Sequence, residues 1–338
     1  MKKRLLYIGN KLSLKKGTIT TIETLASNLI QEGYAVKTAS SFQNKVLRML
    51  DMLWQTIKHR NKVDVVLIDT YSTQNFWYAI CVGKVCRMFN VPYIPILHGG
   101  NLPNRLKKSP QLSKKLFKGA KTNITPSNYL MEVFKKEGYT NLTYIPNTIE
   151  IANYPFQLKE EIKVKLLWVR SFAELYNPML AIEIVEKLLK NDIEVALCMV
   201  GPEKDGTLQK CKDRALQKNL PITFTGLLSK EEWGALSKDY DLFINTTNFD
   251  NTPVSVIEAM ALGLPVISTN VGGLPYLIDD NRTGILVPPN NGDAFVTAIT
   301  ELLTNPKKAQ TLAKNARTIV EEFDWEKVKQ KWDEVLNE

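Results

Sequence analysis

Twelve short apolar runs, separated by segments whose apolar residues recur at helical spacing, alternate from one end of the chain to the other. That rhythm leaves few options. Strands that are apolar along their whole length must be covered on both faces, and the intervening helices supply the cover, so a doubly wound parallel α/β sheet is expected. Residues 4–9, 34–39, 63–69, 92–98, 122–126 and 142–146 read as strands in the first half. In the second half, 164–170, 195–201, 222–226, 241–246, 265–269 and 284–287 do the same. Between the first two strands Ile19, Ile22, Leu25, Leu29 and Ile30 share one helix face, and Gly33 stops that helix. Ser127 is placed to cap a helix running to Glu137, and Ser229 with Glu232 makes a capping box before Asp241. Residues 147–161 follow Pro146, contain Pro155 and show no period, which reads as a connection. The expected layout is a first domain over 1–150, a linker over 151–161, and a second domain over 162–338 that ends in three helical segments, with a cleft between the two domains.

The 338 residues suffice for two such domains. No run approaches the roughly 18 apolar residues of a membrane-spanning helix. The basic start, Lys2-Lys3-Arg4, leads only into a short strand-like run and not into a secretory signal. Cys81, Cys86, Cys198 and Cys211 form no metal-ligand spacing with His59 or His98, so reduced structural thiols in a cytoplasmic protein are expected. Disulfide scaffolds, zinc modules and integral membrane proteins are excluded. The net charge of +9 is unevenly spread. Residues 1–150 hold 23 Lys and Arg against 8 Asp and Glu, whereas 151–338 hold 21 against 27. A basic first half points to an anionic partner: a phosphorylated substrate, a membrane surface or nucleic acid.

The signatures of P-loop NTPases, nicotinamide dehydrogenases, zinc proteases and α/β-hydrolases are missing. The chemical signal sits instead in residues 249–275, where a strand over 241–246 leads through a polar loop into a helix opened by Pro253 and closed by Gly263. A strand end followed by a helix start is where α/β proteins hold anions. Glu258 lies eight residues after Asp250, so the loop can bring both carboxylates to one ligand, one for sugar hydroxyls and one for a ribose diol.

This segment, with Glu258-Ala259-Met260-Ala261, Gly263, Pro265-Val266-Ile267-Ser268-Thr269, Gly272-Gly273 and Pro275, resembles the nucleotide-sugar signature of the retaining GT-B glycosyltransferases of family 4, the E-x7-E group. Asn281-Arg282-Thr283-Gly284-Ile285-Leu286-Val287 continues the likeness, which is dense in the second half and only a matter of pattern in the first. The resemblance implies two Rossmann-like domains, with Glu258 on the ribose and Asp250 where the family's first Glu meets the donor sugar. Asn251-Thr252-Pro253 replaces the usual Gly-Phe-Gly. Pro253 has no N–H to give, so phosphate contacts fall to Val254, Ser255 or Val256, and Thr252 joins the donor-binding candidates.

Arg170, at the end of the strand over 164–170, resembles the family's diphosphate-binding Arg, whose guanidinium fork suits phosphate oxygens. The family's following Lys is missing, and Lys204, just after Gly201, is the candidate substitute; Gly201 would leave room for the base. Resemblance also places His98 on the donor sugar from across the cleft, and the lysine-rich loop of residues 9–17, which follows the first strand, should face that cleft too. Asp239-Tyr240-Asp241 has the D-x-D spacing of metal-dependent glycosyltransferases, but its strand-edge position argues against a metal site.

The reading is a retaining, metal-independent glycosyltransferase that needs no cofactor, with Asp250, His98 and Arg170 as catalytic candidates. Its partners would be a UDP- or GDP-type sugar, a glycan or lipid-linked acceptor of polysaccharide assembly, and an anionic membrane on the cytoplasmic side, but not nucleic acid. Arg105, Lys107, Lys108, Lys114 and Lys115, in a stretch free of acids, would form the acceptor or membrane face. The stretch from Lys45 to Arg60 combines further cations with Leu47, Leu50, Trp54 and Ile57 at helical spacing, suited either to packing on the sheet or to a membrane. The rivals are a nucleotide-sugar epimerase of the same architecture and a basic nucleic-acid-binding module.

Overall fold

The computed structural model describes residues 2–11 and 20–338, as two units. The first comprises the chain up to Pro146 together with Trp325–Glu338, and the second is Asn147–Asp324. In the first, β1 (Arg4–Ile8), β2 (Ala35–Ala39), β3 (Val65–Thr70), β4 (Tyr93–Leu97), β5 (Asn123–Thr125) and β6 (Leu142–Tyr144) form one parallel sheet in the order β2-β1-β3-β4-β5-β6. α1 (Thr21–Gln31) crosses one face of the sheet, where Ile22, Leu25 and Leu29 meet Leu5, Tyr7 and Leu67. The other face carries α2 (Lys45–His59), α3 (Asn75–Met88), α4 (Leu102–Lys108), α5 (Pro110–Lys118) and α6 (Asn128–Lys136). Ser127 caps α6 through the Leu130 N–H, as expected.

In the second unit, β7 (Lys165–Val169), β8 (Ala196–Val200), β9 (Ile222–Gly226), β10 (Leu242–Asn245), β11 (Val266–Thr269) and β12 (Ile285–Val287) order as β12-β11-β10-β7-β8-β9. Successive side chains of β7 point to opposite faces. Leu166 and Trp168 join a core with α7 (Pro178–Lys190), α8 (Thr207–Gln217) and α12 (Gly292–Thr304). Leu167 joins α9 (Lys230–Leu236), α10 (Val254–Leu262) and α11 (Leu274–Leu277) instead. α13 (Pro306–Val320) contributes to both cores, Leu312 to one and Val320 to the other. Ser229 and Glu232 form the expected capping box.

All twelve expected strands are present, within two residues at each end. The layout differs at the C-terminus. The last helix, α14 (Trp325–Asn337), belongs to the first unit, because Trp325, Val328, Trp332, Val335 and Leu336 bury themselves against the α1 face of the first sheet. The expected second domain over 162–338 therefore stops at Asp324, and the segment read as a linker is part of the second unit. No described helix is long and apolar enough to cross a membrane.

Candidate functional site

β7 and β10 are neighbours in the second sheet, yet the chain proceeds from β7 outward through β8 and β9 before returning to β10. Such a reversal opens a crevice beyond the carboxyl ends of the two strands, where open α/β sheets bind ligands. Arg170 leaves the end of β7, and the loop from Thr246 to Pro253 leaves the end of β10. They meet in an ion pair between the Arg170 guanidinium and the Asp250 carboxylate. The guanidinium also lies over the Tyr176 ring, 4.4 Å from its centroid. Burial works against its charge, and Tyr176 and Glu258 nearby favour it. Its Nε is buried with no partner among the described residues.

Glycines let this loop exist. A Cβ at Gly273 would strike the carbonyl of Asn251, and one at Gly272 that of Asp250, while the Gly273 N–H donates to the Asp250 carbonyl at 3.0 Å. The Gly-Gly pair thus seats the Asp250–Asn251 backbone. Gly201, with φ near +149°, is required because a side chain there would run into the Arg170 carbonyl. The glycine expected to make room for a base makes room for the arginine's own loop.

Beyond Asp250, Pro253 caps α10, and Gly263 closes it in the left-handed conformation. The first N–H groups of a helix lack a carbonyl one turn back, so they are free to meet an anion. Val256 is a partial exception, since its N–H already donates to the Pro253 carbonyl at 3.1 Å. Val254 and Ser255 are the better placed. Thr252 Oγ1 and Ser255 Oγ are buried with no partner among the described residues, as Arg170 Nε is. Buried polar groups are almost always satisfied, so three such atoms around one helix start describe a cradle for an anion. One turn further, Glu258 is buried. Its Oε1 accepts from Tyr154 Oη at 2.7 Å and lies 2.9 Å from Lys230 Nζ. Burial first, and Glu258 second, push the Tyr154 phenol far above its usual range, which keeps it a donor.

The second unit therefore brings Arg170, Asp250, Thr252, Ser255 and Glu258 together. Lys204 is different. It lies exposed on the loop after β8, with its backbone N–H held by Glu203 Oε1 and the Phe172 carbonyl. The lysine whose ammonium reaches a site carboxylate is Lys230, at the first position of α9. Lys230 and Tyr154 were both missed by sequence reasoning. The capping box at Ser229 marks Lys230 as a helix-start residue, whereas nothing in the aperiodic 147–161 stretch singles out Tyr154. Of the D-x-D pair, Asp241 is occupied structurally, its Oδ2 accepting the N–H groups of Lys163 and Lys165 at 2.9 and 3.2 Å.

In the first unit His98 follows β4, with Nε2 2.8 Å from Asp69 Oδ1 and its ring stacked on Tyr71 at 5.3 Å. The same Asp69 oxygen accepts from Tyr7 Oη at 2.8 Å. Asp69 was not anticipated, although it ends an expected strand. The lysine-rich loop after β1 runs into residues 12–19, which lie outside the described residues. Arg105 corrects the expected basic face: its guanidinium donates twice to the Ser72 carbonyl and covers the Phe76 ring, so it is a structural residue. Lys107, Lys108, Lys114 and Lys115 are exposed as expected.

Comparison with known proteins bears on the family and the fold. An uncharacterized glycosyltransferase of Methanocaldococcus jannaschii is 26% identical over 261 residues, spanning 73% of this chain and 69% of that one. The UDP-Gal:alpha-D-GlcNAc-diphosphoundecaprenol alpha-1,3-galactosyltransferase of Escherichia coli is 24% identical over 298 residues, spanning 81% and 74%. Among solved structures, HepE of Anabaena in complex with UDP matches with a TM-score of 0.76 at 16% identity, over 99% of both chains. Sucrose-phosphate synthase from Thermosynechococcus elongatus matches with a TM-score of 0.82 at 17% identity, over 99% of this chain and 98% of that one. At such identity these two carry the fold, which is GT-B. The family model for glycosyl transferases group 1 matches residues 151–319, half of the chain and the half that holds Arg170, Asp250 and Glu258. The chain belongs to the glycosyl transferases group 1 family and is a glycosyltransferase.

Proposed function

We propose that the protein transfers a sugar from a nucleoside-diphosphate donor, of UDP type, to a hydroxyl of a glycan or lipid-linked acceptor, with retention and without a metal ion. The observation that carries this reading is the trio of donors without a partner among the described residues, Arg170 Nε, Thr252 Oγ1 and Ser255 Oγ, around the start of α10 with Glu258 one turn on. A diphosphate satisfies the trio, and a ribose diol satisfies Glu258 in place of Tyr154 or Lys230. Arg170 and the first turn of α10 then neutralise the leaving diphosphate, which is the work a metal does elsewhere. In the retaining step the bond from the anomeric carbon to the phosphate oxygen breaks, and the bond to the acceptor oxygen forms on the same face. The acceptor proton passes to the leaving phosphate. Asp250 serves the donor sugar, and the expected effect of His98→Ala is slower transfer with unchanged binding of bare nucleotide. The UDP type is supported by the UDP bound in HepE, and the lipid-linked acceptor by the name of the E. coli relative. The same inference puts the enzyme at the cytoplasmic face of a membrane.

Calorimetry with UDP, GDP and ADP, followed by release of free nucleotide from the matching sugars in EDTA, tests the reading. Binding of UDP and turnover in EDTA are expected. Failure of every nucleoside diphosphate to bind refutes the donor assignment, and strict dependence on a divalent ion refutes the metal-free route.

A further inference from the structure

We propose that Lys230 is a placeholder on Glu258 that the donor's ribose displaces, and that Tyr154 stays behind as the residue that aims the carboxylate. The inference rests on the donor reading above and says which protein group gives way when the nucleotide arrives. A carboxylate oxygen offers about two lone-pair sites. Tyr154 Oη, at 2.7 Å, and Lys230 Nζ, at 2.9 Å, both meet Oε1 of Glu258. That oxygen is therefore full. A ribose diol can engage both carboxylate oxygens only if one of these two donors leaves.

The two donors are held very differently. Tyr154 is 4% exposed. Its carbonyl accepts from Arg317 Nη1 at 2.8 Å, and the same nitrogen donates to the Ala261 carbonyl, in the last turn of α10, at 2.7 Å. One guanidinium on α13 thus clamps the Tyr154 backbone to the helix that carries Glu258. The residues just before Tyr154 are tied down as well. The Ile149 N–H donates to the Phe323 carbonyl at 3.0 Å, and the Ile151 N–H to Asp324 Oδ1 at 3.2 Å. Lys230 has its backbone fixed behind the Ser229 cap, but its side chain is 53% exposed. Swinging that side chain into water returns rotamer freedom to a long flexible stem. The group that gives way is Lys230.

Its place on Glu258 before the donor binds has a cause of its own. A buried carboxylate is costly without a partner, and Glu258 is buried. Tyr154 supplies a hydrogen bond but no charge, so Lys230 supplies the charge. A half-exposed ion pair is weak enough for a ligand to break. The diol then brings two hydroxyl donors where the ammonium was one.

Calorimetry on the full chain with UDP, and with 2′,3′-dideoxy-UDP, which lacks both ribose hydroxyls, tests the exchange. K230M leaves Oε1 open and is expected to bind UDP about two- to fivefold more tightly, the scale of an exposed ion pair. Y154F frees the carboxylate to turn and is expected to bind UDP roughly tenfold less tightly. Both variants should bind the dideoxy nucleotide as the wild type does, because it asks nothing of Glu258. In an E258A background both effects on UDP should vanish. Melting curves establish that each variant is folded. Weaker UDP binding by K230M overturns the proposal, since the ammonium would then serve the nucleotide directly. Wild-type UDP affinity in either single variant overturns it too, as does an equal loss of dideoxy-UDP binding in Y154F, which marks a distorted cradle. If the wild type binds neither nucleotide, the donor assignment itself has failed, and this proposal falls with it.

Discussion

At the scale of single residues, the proposed function makes the Arg170–Asp250 ion pair set the terms for donor binding. The guanidinium that a diphosphate needs is already held by a carboxylate, so the ligand must take it over. Losing one charge-assisted contact costs about 1.5–3 kcal/mol, and Arg170→Ala should weaken UDP binding by about tenfold or more. Asp250→Asn acts oppositely on the bare nucleotide. It releases the guanidinium, so UDP should bind at least as tightly as before, while sugar transfer falls. Glu258→Gln should weaken UDP itself. Calorimetry on the three variants decides the matter, and a loss of UDP affinity in Asp250→Asn would refute the exchange. That Arg170, Asp250 and Glu258 lie near one another was legible in the sequence through the family resemblance, with a strand end and a helix start as local support. Tyr154 and Lys230 were not, because they come from elsewhere in the second unit to meet Glu258, and only the folded chain brings them there.

At the scale of elements, short buried strands announced themselves, since a run of apolar residues bounded by breakers has few other uses. Helices announced their existence but not always their orientation. α2 is apolar on two sides, so its period reports a helix and leaves open which side the sheet covers. Its inner side also holds His59, buried with Nδ1 lacking a partner among the described residues. Burial and the neighbouring Lys37, Lys58 and Lys62 lower its pKa below the usual 6.5. The unfolded chain therefore binds a proton that the folded chain refuses. Stability from this group is complete above about pH 6.5 and declines as the pH falls toward the lowered value. His59→Gln should flatten that slope in urea titrations between pH 7 and 5, and an unchanged slope would assign the acid sensitivity to other groups. The Gly272–Gly273 turn belongs to the same scale. Gly273→Ala must displace the Asn251 carbonyl, so it should weaken UDP binding as well as lower the melting temperature. Full affinity in that variant would show that the loop's position is not what presents Thr252 and Ser255.

At the scale of the whole molecule, the sequence misled in one place. An amphipathic helix at the end of a chain carries no mark of which core it will join, and α14 joins the first. It buries Trp325, Val328, Trp332, Val335 and Leu336 there. Truncating a core tryptophan to alanine costs about 3–5 kcal/mol, a large part of the roughly 5–15 kcal/mol that holds a domain together. Trp332→Ala should therefore destabilise the first unit although it lies at the end of the sequence. The proposed nucleotide cradle of Arg170, Thr252, Ser255 and Glu258 lies wholly in the second unit, so UDP bound there should stabilise that unit, by about 2.7 kcal/mol at a hundredfold excess over Kd. Scanning calorimetry on the full-length variant separates the two effects: one transition moves down with the substitution, and another moves up with UDP. If Trp332→Ala and UDP instead shift one shared transition, the units unfold together. The last helix would then govern the stability of the donor site as well as that of its own sheet.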